Sequence, residues 1–120
     1  MGIFSVPIII KSSPDAPAKE SVQMVVDTGA YISVVPREIL ERLGVKPHWR
    51  RKFQLADGSV IEREVGGATF VWDGQEGIAE VVFGEKTDKP LLGAITLESM
   101  ALKVNMQKQV LESLDTLLLL

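Results

Sequence analysis

The apolar runs of this chain are short, and nearly all of them end on turn residues. Two Asp-Gly pairs, Asp57-Gly58 and Asp73-Gly74, are each flanked by segments rich in β-branched residues. Asp-Gly between such segments is a strong two-residue hairpin signal, so Phe53 to Val65 and Thr69 to Phe83 are predicted to fold back on themselves. Further strands are expected at Ile3 to Lys11, with Pro7 marking an edge position, at Glu20 to Val26, at Ala30 to Val35 and at Leu102 to Met106. Ser12 to Lys19 carries Pro14, Asp15 and Pro17 and reads as a loop.

Helical signals are few. Pro36 to Gly44 has proline at its start and glycine just past its end, with Ile39, Leu40 and Leu43 turned inward. A second short helix is expected from Ile95 to Met100. Gln109 to Leu120 fits either a helix or a final strand. The strand is preferred, because four terminal leucines on a monomer's surface would need a partner. Residues 1–120 thus make one mainly β domain with one or two short helices.

Composition removes several kinds of chemistry. The chain has 13 basic and 16 acidic residues, a net charge of −3, which gives no footprint for nucleic acid. The basic run His48-Trp49-Arg50-Arg51-Lys52 therefore reads as a solvated approach to the first hairpin, with Trp49 and Trp72 as core or interface residues. With no cysteine and one histidine, neither thiolate nor histidine metal sites are expected, and no cofactor is called for. No Gly-x-Ser-x-Gly elbow accompanies His48. No apolar run approaches the ~18 residues that span a bilayer, and a cytoplasmic protein is expected.

The most informative stretch is Met24 to Pro36, which contains Val26-Asp27-Thr28-Gly29-Ala30. Apolar residues flank Asp27 on both sides, where an ionised carboxylate is costly unless hydrogen-bonded or sharing a proton. A strand, a tight turn and a second strand would present that carboxylate at the base of a cleft. Taken alone, Asp-Thr-Gly also fits an ordinary turn in which Asp27 accepts bonds from its own backbone.

The rest of the chain decides between these. Val26-Asp27-Thr28-Gly29-Ala30 is followed by Ser33 and Pro36 before a helix. Next come Leu55-Ala56-Asp57-Gly58-Ser59 at a hairpin tip, and then Leu91-Leu92-Gly93-Ala94 before a second helix and Leu102-Lys103-Val104-Asn105. In this order and spacing the chain resembles the retropepsin-like aspartic peptidases, the retroviral proteases and their single-domain bacterial and archaeal relatives. The resemblance implies a closed acid-protease β-barrel in which Leu91 and Leu92 thread beside the Asp27 loop and Gly93 packs under it. It implies that Asp27 is the catalytic carboxylate, that Thr28 bonds across a dimer axis, that Gly29 donates to the carboxylate and that Ala30 lines the substrate channel. It makes the hairpin near residues 53–65, with Ala56, Asp57, Gly58 and Ser59 at its tip, a flap over bound peptide. Residues 107–120 become an interface strand.

Carboxylate-driven peptide hydrolysis needs two carboxylates, one to deprotonate water and one to protonate the carbonyl oxygen. This chain has one such motif, so a dyad requires two-fold association, and a homodimer is expected. The expected function is an aspartic endopeptidase acting on peptide or protein substrates. Viral relatives carry arginine after the final glycine, paired to an acidic residue beyond Asp-Thr-Gly-Ala; here those places hold Ala94 and Tyr31. That departure keeps open an alternative, a catalytically silent dimeric peptide-binding or scaffold module of the same fold.

Overall fold

The computed structural model describes residues 3–117 and 119. Nine strands and two helices follow one another among them: β1 (Ser5–Lys11), β2 (Lys19–Val26), β3 (Ser33–Pro36), α1 (Arg37–Leu43), β4 (Pro47–Gln54), β5 (Val60–Trp72), β6 (Gln75–Gly84), β7 (Leu91–Leu92), α2 (Ala94–Ser99), β8 (Leu102–Asn105) and β9 (Val110–Ser113). Seven strands form one sheet in the order β1-β2-β7-β3-β6-β5-β4, and a further β1–β5 pairing joins β1 to β5. Six strands therefore form a ring of pairings, with β4 attached to β5 outside it. β8 and β9 make a separate two-stranded sheet.

The ring has a wet and a dry side because its strands alternate. Ile8 and Ile10 of β1 and Val22, Met24 and Val26 of β2 point inward, while the residues between them are partly or fully exposed. Phe70, Phe83, Leu40, Leu92 and Met100 are fully buried and complete the core. The Asp73-Gly74 turn is the expected two-residue kind, with both residues at positive φ and Trp72 opposite Gln75. The helix after Pro36 also forms: Leu40 and Leu43 are buried, Ile39 packs against them, and Gly44 ends it.

Several boundaries differ from the sequence expectation. The strand expected at Ala30 begins only at Ser33, because residues 30–32 are spent on the loop. Pro36 ends β3 and caps α1 rather than opening the helix itself. The Asp57-Gly58 hairpin closes through three residues: Gly58 N–H reaches Leu55 C=O at 2.9 Å, and Leu55 N–H reaches Ser59 C=O at 2.8 Å. Gly58, at φ 88°, takes the left-handed position that such a loop requires. Pro7 does sit on a locally free edge, since β5 pairs only with Ile9 to Lys11 of β1. At the tail, Val110–Ser113 is a strand against β8, not a helix; Leu118 and Leu120 of the expected 107–120 strand lie outside the described residues. No helix among the described residues is long and apolar enough to cross a membrane.

The pairing of β5 changes along its length. Residues 65–72 pair with β6, but residues 60–64 pair only with β4. Beyond Val65 the β4–β5 hairpin is thus a free two-stranded ribbon, exposed along most of β4.

Candidate active site

Asp27, Thr28 and Gly29 form the exposed turn between β2 and β3. The turn is closed by Ala30 N–H to Asp27 C=O (3.1 Å), and Gly29 N–H donates to Asp27 Oδ1 at 3.0 Å. That second bond fixes the carboxylate's direction. It is common to the turn reading and to the catalytic one.

What singles this turn out is how tightly the chain holds it from below. β7 lies between β2 and β3, parallel to β2 through Val25–Leu91 and Val26–Leu92, and antiparallel to β3 at Val34–Leu91. Asp27 N–H donates to Leu92 C=O at 3.0 Å. Gly93 N–H donates to the buried hydroxyl of Ser33 at 2.9 Å, and that hydroxyl also bonds the buried hydroxyl of Thr96. A side chain at Gly93 would find no room: a Cβ there would lie 2.8 Å from the carbonyl carbon and oxygen of Ile32 and 3.0 Å from the Ala30 oxygen. Gly93 therefore packs directly beneath the loop.

Two backbone bonds continue the support. Ala94 N–H reaches Ala30 C=O at 2.8 Å and Ile95 N–H reaches Tyr31 C=O at 3.2 Å. Ala94 and Tyr31, the positions where the expected arginine and acidic residue are missing from this sequence, each take part in one of these bonds. Here main-chain bonds from the start of α2 hold the same segment.

The loop borders an apolar groove of about 570 Å³. Gly29, Ala30 and Tyr31 form one wall, Phe53, Leu55 and Ile61 of the ribbon another, and Thr87, Asp88, Lys89 and Leu91 a third. Ala30 and Leu91 both line this groove. Thr28 instead edges a smaller recess with Leu97, Leu102 and Val104. Ala56, Asp57, Gly58 and Ser59 stand at the exposed tip, beyond the groove lining. There Asp57 accepts from the Ser59 hydroxyl and backbone N–H, and these bonds, the hydroxyl's first, hold its carboxyl below the usual carboxylate range. The groove-facing residues of the ribbon were not singled out in the sequence. The signal existed: Phe53 and Leu55, and Ile61 and Arg63, each lie two apart and so share a strand face.

The groove also holds a charged pair that sequence inspection did not find. Arg63 Nε and Nη2 donate to the two oxygens of Asp88 at 2.7 and 3.0 Å, with both side chains partly buried. This fork, and secondarily the Glu85 N–H on Asp88, lowers the Asp88 pKa against the opposing effect of burial. A carboxyl whose folded pKa is depressed stabilises the fold above its unfolded pKa and loses that contribution as pH falls through the folded one. Stability measured by denaturant titration is expected to fall on acidification below the ordinary carboxylate range, with a shallower fall in Asp88→Asn. An unchanged acid limb in that variant would reject the assignment.

Comparison with known proteins bears on both the family and the fold. A family model described as "gag-polyprotein putative aspartyl protease" matches residues 18–99. The solution structure of the Simian Foamy Virus (mac) protease superposes with a TM-score of 0.54 at 23% identity, covering 78% of this chain and 91% of that one. At that identity the likeness is one of fold, and it agrees with the mainly β retroviral-protease architecture. No curated protein matches the sequence.

Proposed function

This chain belongs to the gag-polyprotein aspartyl protease family, and from that premise we propose that it is an aspartic endopeptidase working as a homodimer. One observation carries the reading. Asp27 is exposed and aimed by its own turn, yet among the described residues no cation lies within ion-pair distance of it. A loop this firmly fixed, with a carboxylate the chain itself leaves uncompensated, suits a face completed by a second copy.

Two Asp27 carboxylates side by side cannot both ionise cheaply, so the pair would hold one proton between them. The ionised one takes a proton from water as that water attacks the peptide carbonyl, and the protonated one gives its proton to the carbonyl oxygen. The resulting diol collapses as the C–N bond breaks, with a proton passing to the departing nitrogen. No covalent enzyme intermediate forms. Thr28 at the edge of the same face would bridge the two loops, and β8–β9 would supply further interface. The apolar groove would take the substrate as an extended strand beneath the ribbon.

The test is cleavage of a peptide library by the purified chain at acid to neutral pH, blocked by a statine-type transition-state analogue, with sedimentation read in parallel. Cleavage by a dimer supports the proposal; a pure monomer that cuts nothing ends it. Binding of the analogue by a dimer without hydrolysis would instead select the silent peptide-binding module. The ribbon has its own test. Gly58→Pro forces φ near −65° and removes the N–H that closes the loop. Turnover is expected to fall roughly tenfold with little change in Tm, because the tip lies outside the core. Undiminished turnover would show that the ribbon is not a flap.

A further inference from the structure

The geometry points to Arg63 and Asp88 as a latch that sets the width of the groove by tying the free ribbon to the groove wall that leads into β7. The role in substrate binding rests on the peptidase reading above; the mechanical role does not.

Residues 60–64 have only β4 as a strand partner, so a side-chain tie must decide how far the ribbon stands from the body. Among the described residues three ion pairs reach from the ribbon to other elements. Arg51–Glu80 is long, at 3.9 Å, between side chains that are 55% and 35% exposed. Glu64–Arg37 is short, at 2.8 Å, but neither partner lines the groove. Arg63–Asp88 alone joins two groove walls, and it is the most shielded, at 16% and 18% exposure.

Both partners are held in place before they meet. Arg63 Nη1 donates to the Glu62 carbonyl at 2.9 Å, which orients the fork. Asp88 Oδ2 also accepts from Glu85 N–H at 2.8 Å, and Asp88 N–H returns to Glu85 C=O at 2.9 Å. Loop and ribbon are thereby coupled by a planar, two-pronged contact that a lysine could not reproduce. The hinge lies where β5 leaves the ribbon for the ring. At Gly66 the chains approach so closely that a Cβ would sit 2.5 Å from the Lys46 carbonyl oxygen. Arg63 and Asp88 are in this scheme positioning residues, acting on substrate through the ribbon.

Hydrogen exchange on the full chain tests the latch. Arg63→Gln and Asp88→Asn should each speed exchange of ribbon amides in residues 47–64 by about tenfold, leaving β1, β2 and β6 unchanged. Arg63→Lys should fall in between, and the double variant should add nothing, since both changes remove one contact. Ribbon exchange unaffected by either single change would overturn the latch. In peptide cleavage, Arg63→Gln should raise KM by roughly tenfold with kcat within about threefold. An unchanged KM, with hydrolysis intact, would overturn the groove role while leaving the peptidase reading standing. Faster ribbon exchange in a chain that cuts no peptide would uphold the latch and remove the peptidase reading.

Discussion

Asp27→Asn is expected to abolish peptide cleavage, with turnover down at least about 10³-fold, while the fold and its association survive. Asparagine has the same shape, and its Oδ1 can still accept the Gly29 N–H that orients the side chain. The loop should therefore stay put, and the change in stability should lie within about 0.5 kcal/mol, as for surface substitutions generally. What the amide cannot do is take a proton from water or hold one for the carbonyl oxygen. In a homodimer the substitution removes both members of the dyad together. The measurement is cleavage of the best library peptide by wild type and variant at matched concentration, with sedimentation and circular dichroism as controls. A variant that retains activity would place the chemistry elsewhere.

Gly93→Ala should be the most damaging single methyl group in the chain's active region. The added carbon meets backbone, the carbonyl of Ile32 and the oxygen of Ala30, and backbone cannot swing aside as a side chain can. Relief requires α2 to back away from the loop. That would stretch the Gly93–Ser33 and Ala94–Ala30 bonds. Overpacking of this kind costs about 1–3 kcal/mol, and the contacts here place the cost near the upper end. Urea titration should show that loss, and cleavage should drop with it because the loop loses its seat. A variant of wild-type stability would mean the packing beneath the loop is looser than described.

Local chemistry was the part of the architecture that could be read in advance. Asp73-Gly74, the Pro36-to-Gly44 helix and the Asp27 turn are decided by residues that are neighbours in the chain, so their dihedral preferences are visible in the string. β4 was missed before Phe53 because its first six residues, Pro47 to Lys52, are all exposed and show no apolar alternation. The Asp57-Gly58 loop was one residue longer than its dipeptide suggested, since the Ser59 carbonyl took the closing bond. At the site, the family motif located Asp27 and Gly93. The part played by Ser33 was hidden because its partners, Gly93 and Thr96, lie 60 and 63 residues away. Arg63–Asp88 was hidden for the same reason. Nothing near either residue in the chain announces the other.

The threading of β7 between β2 and β3 also has a bearing on when the molecule becomes competent. Asp27 and its turn are made early, but their seat arrives only with Leu92 and Gly93, most of the chain later. Closing a span of about 60 residues carries an entropic cost on the order of 4 kcal/mol, repaid only once the distant segment docks. During synthesis the acidic loop is accordingly left unsupported until the remainder has been made. An incomplete chain can close the turn that orients the carboxylate but lacks β7 and Gly93 beneath it, so the loop gains its seat only when the whole domain has closed.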